Sequence, residues 1–505
     1  MAEIKKIKPS LPKGTRDFLP EEVARRNYIF DTIKSVFRKY GFQQIDTPAF
    51  ERLETLTGKY GEEGDRLLFK ILDSGNPFTN FGPDDREFFE RIKNEKTDEI
   101  IKERGGINTS NHSSVTKEIL RAIRAIATKG LRYDLTVPLA RYVIQHQTDL
   151  TFPFKRFHIA PVWRADRPQK GRYQEFYQCD ADVIGSTSLL NEVELTQIYV
   201  EVFEKLGINV TVEINHRKVL EAIASYFGLQ PHFQDFAIVI DKLDKIGWDK
   251  VLEELTPLVI EHQALEKISV ESMQRFVSDI YKNSTSWLEV TNKLYHAIPE
   301  SDRWRADTWI GITNILQEVL GKIDFNKKKV RLNPYLARGL NYYTGIVWEV
   351  VLDKNADANK DISMGSLGGG GRYDNLTEMF GGRDMSGVGI SFGIERIYDV
   401  MEELKLFPAE LGETTKVLFV HFDEASEAYA FEQLQKVRAA DIASEIYPGK
   451  KKLDKQMNYA NDKKIPFVVV IGGDEMASGK LTFKNMATGE QQKLTIEEII
   501  ERLKS

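Results

Sequence analysis

The chain has 505 residues, enough for two or three domains with a sizeable core. With 41% hydrophobic and 29% charged residues it has the make-up of an ordinary globular protein, and its net charge of −6 argues against coating nucleic acid by bulk charge while allowing local basic surfaces. A single cysteine, Cys179, excludes an internal disulfide or a cysteine-based zinc cluster; no apolar run nears the roughly 18 residues that span a bilayer, so no membrane association and a cytoplasmic setting are expected.

Helical spacing of Val23, Tyr28, Ile29, Ile33, Val36 and Phe37 predicts a helix from Glu21 to Tyr40, stopped at Gly41. Gln43 to Phe50 contains Pro48 and reads as an edge or interface strand. Residues 74–130 look inserted, with charged helical stretches at 85–104 and 115–128 around the polar loop GGINTSNHSS. From Arg132 to Ile184 the pattern is strand-rich, with a charged, Gly-containing turn in the middle. A helix is predicted from Leu189 to Leu206. Residues 217–325 have helical periodicity throughout and look like a second insertion, after which strands resume at Lys329. The expected core therefore comes in three pieces, residues 1–73, 131–216 and 326–406.

Residues 407–415 have the composition of a linker. In 416–505, strands at Val417–Phe422 and Phe467–Ile471 alternate with helices at Glu424–Ala440, Leu453–Lys463 and Ile496–Leu503, which predicts a small α/β domain. Between 450 and 464 stand six lysines against two aspartates. A solvated helix face and an RNA-phosphate surface both account for them. Gly473 to Leu481 superficially resembles a phosphate-binding loop, but its glycines are one residue too far apart and Leu481 stands where Ser or Thr is needed. The eight histidines show no metal-ligand spacing, and no metal is assigned to protein side chains.

Four segments carry chemistry. Val162-Trp-Arg164-Ala-Asp166-Arg167-Pro-Gln169-Lys170-Gly171-Arg172 lies between strand-like runs and describes a hairpin presenting cations at one end of a sheet. Guanidinium forks suit phosphate oxygens, although a charged surface hairpin would look the same. Arg338-Gly-Leu-Asn-Tyr342-Tyr343-Thr-Gly345 runs into Val347, Trp348, Val350 and Val351, the composition of a strand on which the two tyrosines point to opposite faces. It is followed by Gly368-Gly-Gly-Gly-Arg-Tyr-Asp-Asn-Leu376, where missing Cβ atoms permit close approach of backbone to ligand or strand. In Ser386-Gly-Val-Gly-Ile-Ser-Phe-Gly393-Ile-Glu-Arg396 a strand passes into a helix near Glu395, which puts Arg396 at a helix N-terminus beside the sheet.

With Pro48 as motif 1, Arg164 as motif 2, and Gly393 and Arg396 as motif 3, the chain resembles the class II aminoacyl-tRNA synthetases. The segments at 338–345 and 368–376 resemble the two signatures of histidyl-tRNA synthetases. Arg132-Tyr-Asp134-Leu135-Thr136 and Tyr177-Gln178-Cys-Asp-Ala-Asp182 look closer to the eukaryote-type branch. The resemblance implies an α+β catalytic domain on an antiparallel sheet, with helical insertions and a C-terminal α/β anticodon-binding domain. It implies a histidine–tRNA ligase that uses ATP with Mg2+, L-histidine and tRNA(His) and works as a homodimer through motif 1. Arg338 and Arg164 would be catalytic, bracketing α-phosphate and carboxylate. Asp134, Leu135, Thr136, Arg164, Gln178, Asp182, Arg338, Tyr342 and Tyr343 would bind histidine, and Arg164, Asp166, Arg172 and Arg396 would bind ATP. Gln169, Lys170, Lys450, Lys451 and Lys452 are the candidates for tRNA. Two positions depart from the family pattern: Asp166 replaces Glu and Asn341 replaces Asp. A non-catalytic histidine-sensing paralogue is the alternative, but such proteins tend to lose the arginines or the C-terminal domain, and both are present here.

Overall fold

Alternation along two long strands decides the layout of the larger unit. In Phe154–Trp163 and Glu175–Ile184 the pleat sends Phe157, Cys179, Ala181 and Val183 to one face, and Arg156, His158, Gln178, Asp180 and Asp182 to the other. The computed structural model describes residues 8–74, 127–226, 229–261, 329–337, 343–374, 377–381, 385–409, 411 and 415–504. They fall into two compact units, one of Met1–Phe18 with Arg26–Phe407 and one of Leu19–Arg25 with Pro408–Ser505.

Strands of the first unit are β1 (Gln43–Gln44), β2 (Phe50–Arg52), β3 (Lys70–Ile71), β4 (Lys129–Leu131), β5 (Phe154–Trp163), β6 (Glu175–Ile184), β7 (Val210–His216), β8 (Val330–Leu332), β9 (Ile346–Leu352), β10 (Gly368–Tyr373) and β11 (Gly387–Gly393). Among the described residues eight of them form one sheet in the order β1-β5-β6-β11-β10-β9-β7-β8, and β2-β4-β3 form a smaller one. The large sheet is antiparallel except at its two edges, where β1 lies parallel to β5 and β8 parallel to β7. Helices α1 (Pro20–Lys39), α2 (Leu190–Lys205) and α3 (Ile394–Glu403) pack on its apolar face, and helices Arg217–Tyr226, Phe233–Ile240 and Leu243–Glu261 add buried residues to the same core. Phe392 of β11 is the hub. Its ring centroid lies 5.9 Å from Phe37, 4.9 Å from Tyr199 and 5.7 Å from Phe203. Each such fully buried side chain contributes about 1.5–3 kcal/mol. The indole of Trp348, also fully buried, donates to Thr196 Oγ1 at 3.0 Å, so its N–H is satisfied inside the core. Cys179 is fully buried on this face, and burial pushes its thiol pKa up.

Some expectations are corrected. Thr136–Gln145, inside the stretch read as strands, is a helix. Its β-branched residues favoured strand, but the Asp134 carboxylate accepts from the backbone N–H groups of Thr136 and Val137 at 3.2 and 3.1 Å, and that cap nucleates a turn. β9 starts only at Ile346, so Tyr343 precedes the strand and strand alternation does not govern it. The predicted helix at 85–104, residues 115–126 of the one at 115–128, and residues 262–325 of the second insertion lie outside the described residues; Ala127 and Thr128 are not helical.

In the second unit β12 (Val417–His421), β13 (Ser444–Ile446), β14 (Phe467–Ile471), β15 (Leu481–Asn485) and β16 (Gln491–Leu494) form a sheet in the order β13-β12-β14-β15-β16, its first three strands parallel. Helices Glu424–Ala439, Leu453–Asp462 and Ile496–Lys504 accompany it. The false phosphate loop is a short helix, Gly473–Ser478, ended by Gly479 at φ 67°.

One buried ion pair fastens α1 to the first turn of α3. Arg26 reaches both Glu395 oxygens, at 2.7 and 3.0 Å, and Arg16 joins the same carboxylate. Removing one partner of a buried pair leaves the other charge uncompensated, typically at a cost of about 3–5 kcal/mol. Glu395→Ala is therefore expected to lower the urea midpoint of the first unit clearly, while Lys360→Ala, on an exposed i,i+3 pair with Asp357, should leave it nearly unchanged.

Candidate active site

The polar face of the large sheet is built from facing register partners. Asp182 of β6 lies opposite Arg156 of β5 on one side and Gly389 of β11 on the other, and Gly389 lies opposite Gly371 of β10. Arg156 Nη2 is 2.6 Å from Asp182 Oδ2, and the Tyr373 hydroxyl donates to Oδ1. The glycines follow from this crowding. A Cβ on Gly389 would sit 1.9 Å from Asp182 Oδ1, and one on Gly371 would sit 2.4 Å from the Tyr343 ring. Both glycine motifs thus clear space for side chains standing on the same face.

Asp134 is buried beside this face. Besides the two backbone amides it accepts the Tyr60 hydroxyl at 3.1 Å. Burial raises its pKa, while those amides and the Arg164 charge oppose the rise. Arg164 stands just beyond β5, its Nε donating to the Tyr133 carbonyl at 3.1 Å and its guanidinium 4.3 Å above the Tyr133 ring and 5.2 Å from Phe176. Stacking between two rings fixes the plane of the fork. Among the described residues only its Nε is hydrogen-bonded.

The loop joining β5 to β6 is pinned by reciprocal backbone bonds between Gln169 and Arg172, at 3.0 and 2.9 Å, around Gly171 at φ 69°. Arg396, in the first turn of α3, donates from Nε to the Gly171 carbonyl at 3.0 Å and from Nη1 to the Ser366 carbonyl at 2.7 Å. Arg172 faces Asp166 at 3.7 Å, so Asp166, Arg172 and Arg396 meet around one loop. Lys170 pairs with Glu403 at 3.0 Å, which raises its pKa, and Gln169 is exposed.

The remaining candidates are more scattered. Gln178 donates to Ser391 Oγ at 3.1 Å. Leu135 is fully buried in a small cluster with Ala160 and Val162, whereas Thr136 is partly exposed at the helix start. Tyr343 is buried, and its carbonyl accepts from Arg217 at 2.8 Å. Lys450, Lys451 and Lys452 are exposed on the second unit, Lys450 lying 3.3 Å from Glu424. Arg338, Asn341 and Tyr342 lie outside the described residues.

Sequence reading missed Tyr60, Arg156, His158, Asp180 and Tyr373. Arg156, His158, Asp180 and Asp182 alternate with apolar residues in two strands, and that pattern was the available signal for a charged face. Burial, with Asp182 adding to it, pushes Asp180 up to about 7, against the pull of Arg156. Burial and the charges of Arg156 and Arg132 push His158 down to about 4, so it is neutral at physiological pH even though Asp46 lies 2.9 Å away. Among the described residues no group of three or more His, Cys, Asp or Glu side chains is placed to hold a metal ion.

An antiparallel sheet with helices on one face, and arginines and carboxylates gathered on the other, is the arrangement of a class II aminoacyl-tRNA synthetase. A family model described as histidyl-tRNA synthetase matches residues 14–81 and 110–397, and one described as anticodon binding domain matches 414–505. The chain is 46% identical to the histidine–tRNA ligase of Phocaeicola vulgatus, covering 99% of each, and 47% identical to that of Bacteroides fragilis, covering 98% of each. A crystal structure of histidyl-tRNA synthetase from a Nostoc species superimposes with a TM-score of 0.72 at 28% identity over 99% of both chains. The chain belongs to the histidyl-tRNA synthetase family. These relatives are bacterial, so the eukaryote-type expectation finds no support in them.

If the glycines are spacers for side chains, Gly389→Ala must displace Asp182 or part the strands, at a cost of about 1–3 kcal/mol. Thermal unfolding should show a lowered midpoint for that variant and little change for Gly393→Ala, whose added Cβ would find nothing nearer than 3.5 Å.

Proposed function

We infer that this chain catalyses the ATP-dependent attachment of L-histidine to tRNA(His). In the first step the histidine carboxylate attacks the α-phosphorus of ATP, and pyrophosphate leaves as histidyl-adenylate forms. In the second a hydroxyl of the 3'-terminal ribose attacks the acyl carbon and AMP leaves. What carries the reading is end-to-end similarity to relatives named histidine–tRNA ligase, at 46% identity over 99% of both chains.

Such chemistry asks the protein mainly for positioning and charge. Arg164, stacked between Tyr133 and Phe176, is suited to one oxygen of the α-phosphate, with Arg338 as its partner across the reacting atoms. Arg172, Asp166 and Arg396, gathered at one loop, suit the nucleotide, and Mg2+ would arrive on its outer phosphates as part of the substrate. Asp134, Thr136 and Gln178 are assigned to the α-ammonium group, and Asp182, Tyr342 and Tyr343 to the imidazole side, with Leu135 lining the pocket. A pocket of paired polar groups rejects analogues that leave those groups unpaired, by about 10⁴-fold or more. The second unit, with Lys450, Lys451 and Lys452, and the Gln169–Lys170 turn are the proposed contacts to tRNA phosphates. A homodimer formed through the Pro48 region and a cytoplasmic location complete the reading.

Pyrophosphate exchange with each of the twenty amino acids tests it, and histidine alone should support exchange. Histidine binding without exchange would point to a sensor instead. Arg164→Ala and Arg338→Ala should each lower the exchange rate by about 10²–10³-fold while histidine still binds. Normal exchange by either variant would refute its assigned role.

A further inference from the structure

Arg156 belongs to none of the motifs that carry the family resemblance, yet its guanidinium is fully buried on the polar face of the sheet. One amino group holds Asp182 at 2.6 Å and also reaches the Leu135 carbonyl at 3.3 Å. Its Nε and Nη1 are buried with no hydrogen-bond partner among the described residues, as are Asp180 Oδ1 and Gln178 Oε1. Four buried polar atoms on one face of two neighbouring strands, all without partners, mark a place where something polar binds, since each costs about 1–3 kcal/mol if left unsatisfied.

The charges sharpen this. Asp180 and Asp182 are two residues apart on β6 and share a face, with one guanidinium for both. Two carboxylates in a low-dielectric site do not both ionise cheaply, whereas a guanidinium keeps its charge. Burial raises the pKa of Asp182 too, but the direct ion pair with Arg156 and the Tyr373 hydroxyl oppose that rise and favour its charged form. Asp180, pushed up to about 7, is the member that takes a proton near neutrality.

We propose that Arg156 is a positioning residue for amino-acid recognition: it holds the Asp182 carboxylate in one orientation as the acceptor for an imidazole N–H, with Asp180 as the neighbouring carboxylate on the same face that shares the one guanidinium. This rests on the reading of Asp182 as the imidazole acceptor. A carboxylate with one oxygen beside a buried guanidinium and the other bonded to a phenol has little freedom left to lose on binding. The charged and titratable groups around it are Arg156 from β5, Tyr373 from β10, Asp180 on its own strand and Asp134 from the loop before the Thr136–Gln145 helix; β11 contributes Gly389, which has none. His158, beside Asp180, stays neutral above about pH 5 because burial pushes it down to about 4.

Histidine-dependent pyrophosphate exchange from pH 6 to 9 in Arg156→Leu, Asp180→Asn and the double variant, with thermal unfolding of each, tests the proposal. Without Arg156 the proton affinity of Asp182 rises. The KM for histidine in Arg156→Leu should therefore increase at least about tenfold at the acid end and recover toward pH 9, while the KM for ATP stays within about twofold. Adding Asp180→Asn removes the competing carboxylate and should restore part of the loss. A variant of unchanged melting temperature with wild-type KM for histidine at every pH overturns the proposal, as does an equal, pH-independent rise in both KM values. Should Arg156→Leu fail to fold, Asp180→Asn alone decides: the pH dependence of the histidine KM should move to lower pH, and an unchanged profile overturns the idea. Wild-type protein that shows no exchange with histidine would remove the functional reading itself, and this inference with it.

Discussion

A carboxylate 2.6 Å from a fully buried guanidinium is the contact around which the polar face is arranged. Once Arg156 and Asp182 are placed opposite each other, the pleat settles much else. It puts His158, Gln178 and Asp180 on the same side and demands bare backbone at Gly389 and Gly371, and it leaves Cys179, Ala181 and Val183 for the core. A slip of one residue in the β5–β6 register would exchange the two sets and bury several charges among the phenylalanines around Phe392. The apolar side therefore protects the register that the site requires.

Much of the fold was legible because it rests on period. Helices at 20–39 and 190–205, the strand leading into Gly393, and the strand–helix alternation of the second unit all show in apolar spacing alone. What escaped was set by individual contacts. The Asp134 cap turned a β-branched stretch into the Thr136–Gln145 helix, and no propensity announces a carboxylate that reaches two amides ahead. The four consecutive glycines form a central strand, buried on both sides, although glycine is a poor strand former. Their place is dictated by Tyr199, Tyr343 and the backbone of β11, all distant in sequence. Short strands such as Ser444–Ile446 and Gln491–Leu494 have too few residues for any pattern to register.

The site shows the same division. Motif arginines are recognisable from local spacing, and the structure gathers Arg172 and Arg396 at one loop with Arg164 stacked at the end of β5. Arg156, Asp180 and Tyr373 matter through partners across the sheet. Tyr373 lies 191 residues from Asp182, and only the order β6-β11-β10 brings its hydroxyl there. Resemblance marks the segments, which include Asp180 and Tyr373, whereas burial and register show what those side chains touch and bring in Arg156 from outside them.

The lone thiol gives the sheet a built-in spectroscopic window. Cys179 stands between Gln178 and Asp180 in sequence, and the pleat turns it to the far side, where it is sealed from solvent. Its S–H stretch therefore sits in a dry, fixed matrix one backbone thickness beneath the polar face of the sheet. An infrared band from this single oscillator would register changes of electric field on that face while staying clear of solvent.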